Sequence, residues 1–156
     1  MIRIADVLTP ERVVFMREVS SKKRALEIIS ERLAKASSLS QIEVFASLNV
    51  RERLGSTGLG GGVAIPHARI ASNATTMAIV IRLEEAVDYD AADQQPVDLI
   101  FALVVPEEAT DEHLELLAQL AEVLSDSRKV ANLRAASNEA ELLNVLLDTP
   151  HTSHAA

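Results

Sequence analysis

Gly55-Ser56-Thr57-Gly58-Leu59-Gly60-Gly61-Gly62-Val63-Ala64-Ile65-Pro66-His67-Ala68-Arg69 is the stretch on which the reading of this chain turns. All five glycines of the protein fall in its first eight positions. Glycine loses the most backbone freedom on ordering, so this half is neither a helix nor a regular strand. It reads as a loop that reaches positive φ and brings backbone N–H groups close to something. Val63-Ala64-Ile65 then reads as a short buried strand. Pro66 fixes its own φ and pushes Ile65 towards extended geometry. His67 is thereby presented at a stiff strand end beside a ring of backbone donors. Such a place suits an imidazole that reacts with, or holds, an anion.

Two nucleotide motifs fail on this stretch. A phosphate-binding P-loop needs Lys after its second glycine, and Gly60 is followed by Gly61. A dinucleotide fingerprint begun at Gly58 needs glycine at position 63, which is Val63. Nucleotide binding is therefore disfavoured.

Composition bounds the rest. At 156 residues the chain fits one domain with a proper core. Aromatic residues are only 3%, so that core must be built from Leu, Ile, Val and Ala. There is no cysteine, which excludes disulfides, thiolate chemistry and Cys-based metal sites. A formal charge of −8 argues against nucleic acid or an anionic membrane as partner, and is compatible with a basic protein. The N-terminus lacks an apolar signal core, and the longest apolar run, Leu99 to Val105, is too short to span a bilayer. The expectation is a soluble cytoplasmic protein without membrane insertion.

Along the chain, Ile4 to Leu8 reads as a short helical turn and Val13 to Phe15 as a strand. Ser20 or Ser21 caps a helix to about Ala36, with Leu26, Ile29 and Leu33 inward. Ser40-Gln41-Ile42-Glu43 forms a capping box, followed by a helix to about Leu54 with Ile42, Phe45 and Leu48 inward. Arg51 and Arg53 in its last turns complement the helix dipole, a purely structural account of both. After the signature, Ser72 to Thr75 reads as a turn and Thr76 to Leu83 as a strand. Asp88 to Gln95 reads as a solvated surface connection. Val97 to Val105 is nearly continuously apolar, hence a central strand buried on both faces. Thr110 or Asp111 caps a helix to about Leu124, with Leu114, Leu117, Ala118, Ala121 and Leu124 inward. Ser127 begins another helix, and Ser137 or Asn138 the last. Residues 1–148 form the expected domain, and 149–156 a polar, disordered tail. Helices alternate with strands, which argues α/β with a mixed sheet between helical layers.

His113 falls in the first turn of the helix after the central strand. A helix N-terminus favours anions and disfavours imidazolium, so a neutral ring is expected there. Spacing alone reads it as a surface histidine near a cap. His151 and His154 lie in the tail, where isolated histidines are idle.

Taken whole, Gly55 to His67 resembles the active-site signature of the type-2 enzyme IIA domains, mannitol/fructose class, of the bacterial phosphoenolpyruvate-dependent phosphotransferase system. Ser21 to Glu27 and Gln95 to Leu99 are similar to its nitrogen-regulatory branch, and the likeness runs from Ile4 to about Asp148. One departure is that Gly60-Gly61-Gly62 stands where the family usually has Gly-Asn-Gly, so a looser loop is expected.

The resemblance implies a three-layer α/β/α sandwich around a small mixed sheet. It also implies that His67 accepts a phosphoryl group on Nε2 from an HPr-like protein charged from phosphoenolpyruvate through enzyme I. Arg51 would be the cation beside it and His113 the second histidine. Arg53 matches no functional position. Backbone groups of Ser56, Thr57, Gly58, Gly60, Gly61 and Gly62 would cradle the phosphoryl group, with neither metal nor cofactor. In the nitrogen branch the phosphorylation state itself signals to regulatory target proteins of nitrogen, carbon or potassium metabolism. Two alternatives stand beside this: a sugar-transport enzyme IIA that passes phosphoryl to a IIB domain, and a non-catalytic module that binds an anion or partner.

Overall fold

In a computed structural model, which describes residues 3–70, 76–108 and 110–147, the centre of the molecule is the strand foreseen at 97–105. β6 spans Val97–Pro106, and its interior residues from Leu99 to Val105 are all buried. Along one edge it pairs antiparallel with β5, Met77–Val87, with Ile79 opposite Ala102 and Ile81 opposite Ile100. β1, Val13–Met16, lies parallel on the far side of β5. Along the other edge β6 takes two short parallel strands end to end. β3, Val63–Ala64, pairs at Leu99 and Ile100; β4, His67–Ile70, pairs from Leu103 to Pro106. Pro66 sits in the break between them, where its missing N–H costs no ladder bond, while its carbonyl accepts from Leu103 N at 3.0 Å. β2, Gly58–Gly60, closes the edge as an antiparallel partner of β3. The sheet is mixed, in the order β1-β5-β6-β3-β2.

Strand alternation divides the core in two. Ile79, Ile81, Ile100 and Ala102 face α2, Lys22–Lys35, and α3, Gln41–Arg53, which bring Leu26, Ile29, Leu33, Val44 and Leu48. Val80, Leu99, Phe101 and Leu103 face the other way. There they meet the short α1, Ile4–Val7, together with α4, Thr110–Ser125, α5, Ser127–Ala135, and α6, Glu139–Leu147. Each fully buried Leu or Ile contributes about 1.5–3 kcal/mol of transfer free energy. The architecture is the three-layer α/β/α sandwich. Ser21 Oγ caps α2 by accepting from Arg24 N at 3.1 Å, and Ser40 Oγ caps α3 from Glu43 N at 3.3 Å. No helix among the described residues is long and apolar enough to cross a membrane.

Two helices present a different face to the sheet from the one expected. In α3 the inward stripe is Val44, Leu48 and Glu52, while Ile42 is 82% exposed. Apolar residues surround most of this helix, so several stripes fit its pattern equally well. In α4 the buried side is His113, Leu116, Leu120, Val123 and Leu124, with Leu114 exposed. That stripe begins with a histidine, which a hydrophobic pattern passes over. The 88–95 connection also differs: Tyr89 is fully buried. The turn expected at 72–75 and the tail at 149–156, with His151 and His154, lie outside the described residues.

Candidate active site

His67 is the first residue of β4, held by the rigid Pro66 before it. Its Nδ1 stands 2.8 Å from the carbonyl oxygen of Ile65, and its Nε2 3.2 Å from Nε of Arg51. A carbonyl only accepts and an arginine N–H only donates, so Nδ1 carries the proton and Nε2 presents a lone pair. Burial holds the pKa of His67 below the usual histidine value. The Ile65 carbonyl opposes that shift, and the guanidinium of Arg51 adds to it. At neutral pH the ring is an uncharged base with its nucleophilic nitrogen turned to a cation.

Arg51 reaches this point from the last turn of α3, where its Nη1 also donates to the Gly55 carbonyl at 2.8 Å. His113 approaches from the start of α4. Its ring lies edge to face with that of His67, centroids 5.2 Å apart. It is only 6% exposed, and burial, then His67 and Arg69, lower its pKa to about 4. A neutral ring was expected from the helix dipole, but burial is the first cause. Arg69 completes the group, its Nε 3.4 Å from His113 Nδ1. These four side chains line one cleft of about 500 Å³, with Val50 and Leu54 as an exposed apolar wall. A second depression, about 430 Å³, is formed by Asp88, Asp90, Ala91, Gln94 and Pro96, and carries neither cation nor nucleophile.

The structure brings His67, Arg51 and His113 together as expected, but not the glycine loop. None of Ser56, Thr57, Gly58, Gly60, Gly61 or Gly62 lines the cleft. The N–H groups of Thr57, Gly58 and Gly61 are already bonded, to Glu52 Oε1, Ser56 Oγ and Asp93 Oδ2. Ser56 Oγ in turn donates to the Tyr89 carbonyl at 3.2 Å. Arg134, paired with Asp98, donates to the Gly61 carbonyl at 2.6 Å. At Gly62, φ is +83°, which favours glycine, and a Cβ would displace the Arg134 guanidinium, 2.5 Å away at Nη2. The loop is therefore a pinned hairpin that feeds β3 into the sheet, and its glycines serve turn geometry.

Two contributors escaped the sequence reading. Arg69 could have been found by strand alternation, since residues two apart on β4 share the face of His67. Glu52 is a buried carboxylate that pairs with Lys22 Nζ at 3.0 Å and accepts from Thr57 N, from the Thr57 hydroxyl and from Tyr89 OH. Its signal was the spacing Val44, Leu48, Glu52 on one helical face. No cluster of three metal-binding side chains occurs among the described residues. A neutral nucleophilic nitrogen, two guanidinium groups nearby and a buried imidazole suit a small, doubly charged anion that His67 can hold covalently.

The sequence and the fold are similar to those of known proteins. The family described as "Phosphoenolpyruvate-dependent sugar phosphotransferase system, EIIA 2" matches residues 6–149. A nitrogen regulatory protein of Pseudomonas aeruginosa is 42% identical over 151 residues, covering 95% of this chain and 97% of that protein. One of Escherichia coli K12 is 41% identical over 152 residues, covering 97% and 93%. The crystal structure of nitrogen regulatory protein IIA-Ntr from Neisseria meningitidis superposes with a TM-score of 0.87 at 45% identity, covering 92% of this chain and 98% of that one. With a match that spans almost the whole chain, this protein belongs to the EIIA type-2 family of the phosphoenolpyruvate-dependent phosphotransferase system.

Proposed function

We propose that this protein is a cytoplasmic regulatory phosphocarrier. It takes a phosphoryl group from the phosphohistidine of an HPr-like donor onto Nε2 of His67, and its phosphorylation state is the output. The observation that carries the reading is the pair of partners of His67: Nδ1 faces the Ile65 carbonyl and Nε2 faces Arg51 Nε–H, which leaves the lone pair on Nε2, in a cleft with Arg51, Arg69 and His113.

Transfer runs between two imidazoles. The Nε2 lone pair forms a bond to phosphorus, and the phosphorus–nitrogen bond of the donor breaks with its electrons returning to the donor ring. A PO3 unit moves and no proton need be exchanged. The His67 ring takes up positive charge as it is phosphorylated, and the Ile65 carbonyl accepts from Nδ1–H throughout. Such a transition state needs positioning and positive potential more than covalent help. Arg51 supplies a forked, permanent cation, but its bond to Nε2 must swing aside before attack. Charge dispersal then passes to the phosphoryl oxygens. The regulatory rather than sugar-transport reading is supported by whole-length relatives named nitrogen regulatory proteins.

The test is incubation with phosphoenolpyruvate, enzyme I and an HPr-like protein, followed by intact mass. One phosphoryl group, stable in base and labile in acid, should be gained, and His67→Ala should abolish the gain while leaving the fold intact. Modification of His113 or Ser56 instead, or no modification at all, would sink the reading. Rapid discharge to a IIB domain would assign the protein to sugar transport.

A further inference from the structure

His113 has one nitrogen accounted for and one not. Its ring is 6% exposed, yet Nε2 has no hydrogen-bond partner among the described residues. An unmet buried polar atom is costly, and where one persists it marks strain, function or an absent ligand. The other nitrogen, Nδ1, faces Arg69 Nε at 3.4 Å. Arginine Nε–H can only donate, so Nδ1 must offer its lone pair, and a neutral ring then carries its single proton on Nε2. Neutrality at physiological pH follows from the burial of the ring beside His67 and Arg69. Arg69 is placed for this by alternation on β4: Ala68 and Ile70 go inward, and Arg69 emerges with His67.

We infer that Arg69 is a positioning residue: by donating to His113 Nδ1 it fixes the Nε2–H tautomer, so that a buried N–H donor stands ready for an oxygen of the group carried by His67. The identity of that group rests on the phosphocarrier reading; the tautomer does not. The unmet nitrogen of the free protein is then a preformed half of a hydrogen bond, at a ring 5.2 Å from the ring that carries the phosphorus. The same arrangement keeps the second histidine from competing as a nucleophile. Its buried Nε2 has no lone pair to offer.

The experiment has two readouts. Ring proton–nitrogen correlation spectra of the 15N-labelled, unphosphorylated protein at pH 7 report the tautomer directly. His113 should show a protonated Nε2 and a bare Nδ1. Arg69→Met, at an exposed position, should mix the tautomers or reverse them, and Arg69→Lys, which keeps a donor, should restore the original. Phosphorylation by the HPr-like donor should slow about tenfold in Arg69→Met and stay within about threefold of wild type in Arg69→Lys. A protonated Nδ1 in the wild type overturns the inference. So does an unchanged tautomer in Arg69→Met, or a lysine variant no better than the methionine one. If no phosphoryl group is taken up at all, the phosphocarrier reading has failed, and the tautomer spectra alone decide the role of Arg69.

Discussion

Arg51→Ala separates two opposite effects of one guanidinium. In the free protein Arg51 Nε donates to His67 Nε2 at 3.2 Å, so it covers the lone pair that must attack. In the transition state the same cation is free to bind phosphoryl oxygens. A hydrogen bond to a charged group contributes about 1.5–3 kcal/mol, and the neutral-acceptor bond given up on the way about 1 kcal/mol. The difference, about 0.5–2 kcal/mol, corresponds to a slowing of about 2- to 30-fold. The reaction should still reach one phosphoryl per chain, because the nucleophile is intact. Removing the cation also relieves the repulsion that lowers the His67 pKa, so the ring should titrate at higher pH in the variant than in the wild type.

Quench-flow with intact mass gives the rate, and NMR titration of His67 gives the charge effect. A second cost is separable: the Arg51 Nη1 bond to the Gly55 carbonyl is also lost, about 1 kcal/mol or about 2–4 °C in Tm. If the titration moves but the rate does not, Arg51 acts on the resting ring and not on transfer. If neither moves, it is no more than a cation complementing the end of α3, and the mechanism given above is wrong about it.

Other outcomes follow from the same contacts. Gly61→Asn should raise stability by up to about 1 kcal/mol and slow amide exchange around residues 58–63. Gly61 has φ of +65°, which Asn tolerates, and no atom lies within 4 Å of an added Cβ; a fall in Tm would show that glycine itself is needed there. Glu52→Ala should cost about 3 kcal/mol, or about 6–12 °C in Tm, because Lys22 and Tyr89 lose the carboxylate they share; thermal unfolding checks this, and a loss below 1 °C would contradict the buried pairing. His113 should titrate near pH 4 in the free protein and at higher pH once His67 is phosphorylated. Since that folded-state value lies below the ordinary 6.5, its contribution to stability is complete above about pH 6.5 and is lost as the pH falls towards 4. In urea unfolding across that window the wild type should lose stability relative to His113→Leu as the pH falls, and a difference that does not change with pH would refute the shift.

The elements were legible because each had a local cause. The apolar run Val97 to Val105 could only be an interior strand, and Ser21 and Ser40 announced the starts of their helices. What could not be read was which face a helix turns inward when apolar residues surround it. The α4 stripe hides behind Leu114 and Leu117, and with it went the burial of His113, which spacing alone had placed at the surface. Polar burial was the other blind spot. Tyr89 lies in a segment of aspartates, and Glu52 lies between two arginines, so both read as solvated until the fold brings them to Lys22. His67 and Arg51 were legible as a pair only through the resemblance, since 16 residues and a loop separate them.

That loop shapes the cleft even though none of the residues Ser56, Thr57, Gly58, Gly60, Gly61 and Gly62 lines it. α3 runs on one face of the sheet and β3 joins the edge, so the chain from Leu54 to Val63 must turn back within a few residues. Positive φ at Gly55, Gly60, Gly61 and Gly62 makes the turn, and its end is fixed by Arg134, which donates to the Gly61 carbonyl, and by Asp98 N and Leu99 N, which donate to the Gly62 carbonyl. Glu52 fixes where it begins, by accepting from both polar groups of Thr57. Arg51 and Glu52 are neighbours on α3 that point to different tasks: the carboxylate is buried to anchor the loop, and the guanidinium is left half-exposed to meet His67. The glycines thus set the path by which β4 arrives with His67 Nε2 3.2 Å from Arg51 Nε, and that distance is a structural consequence of the signature.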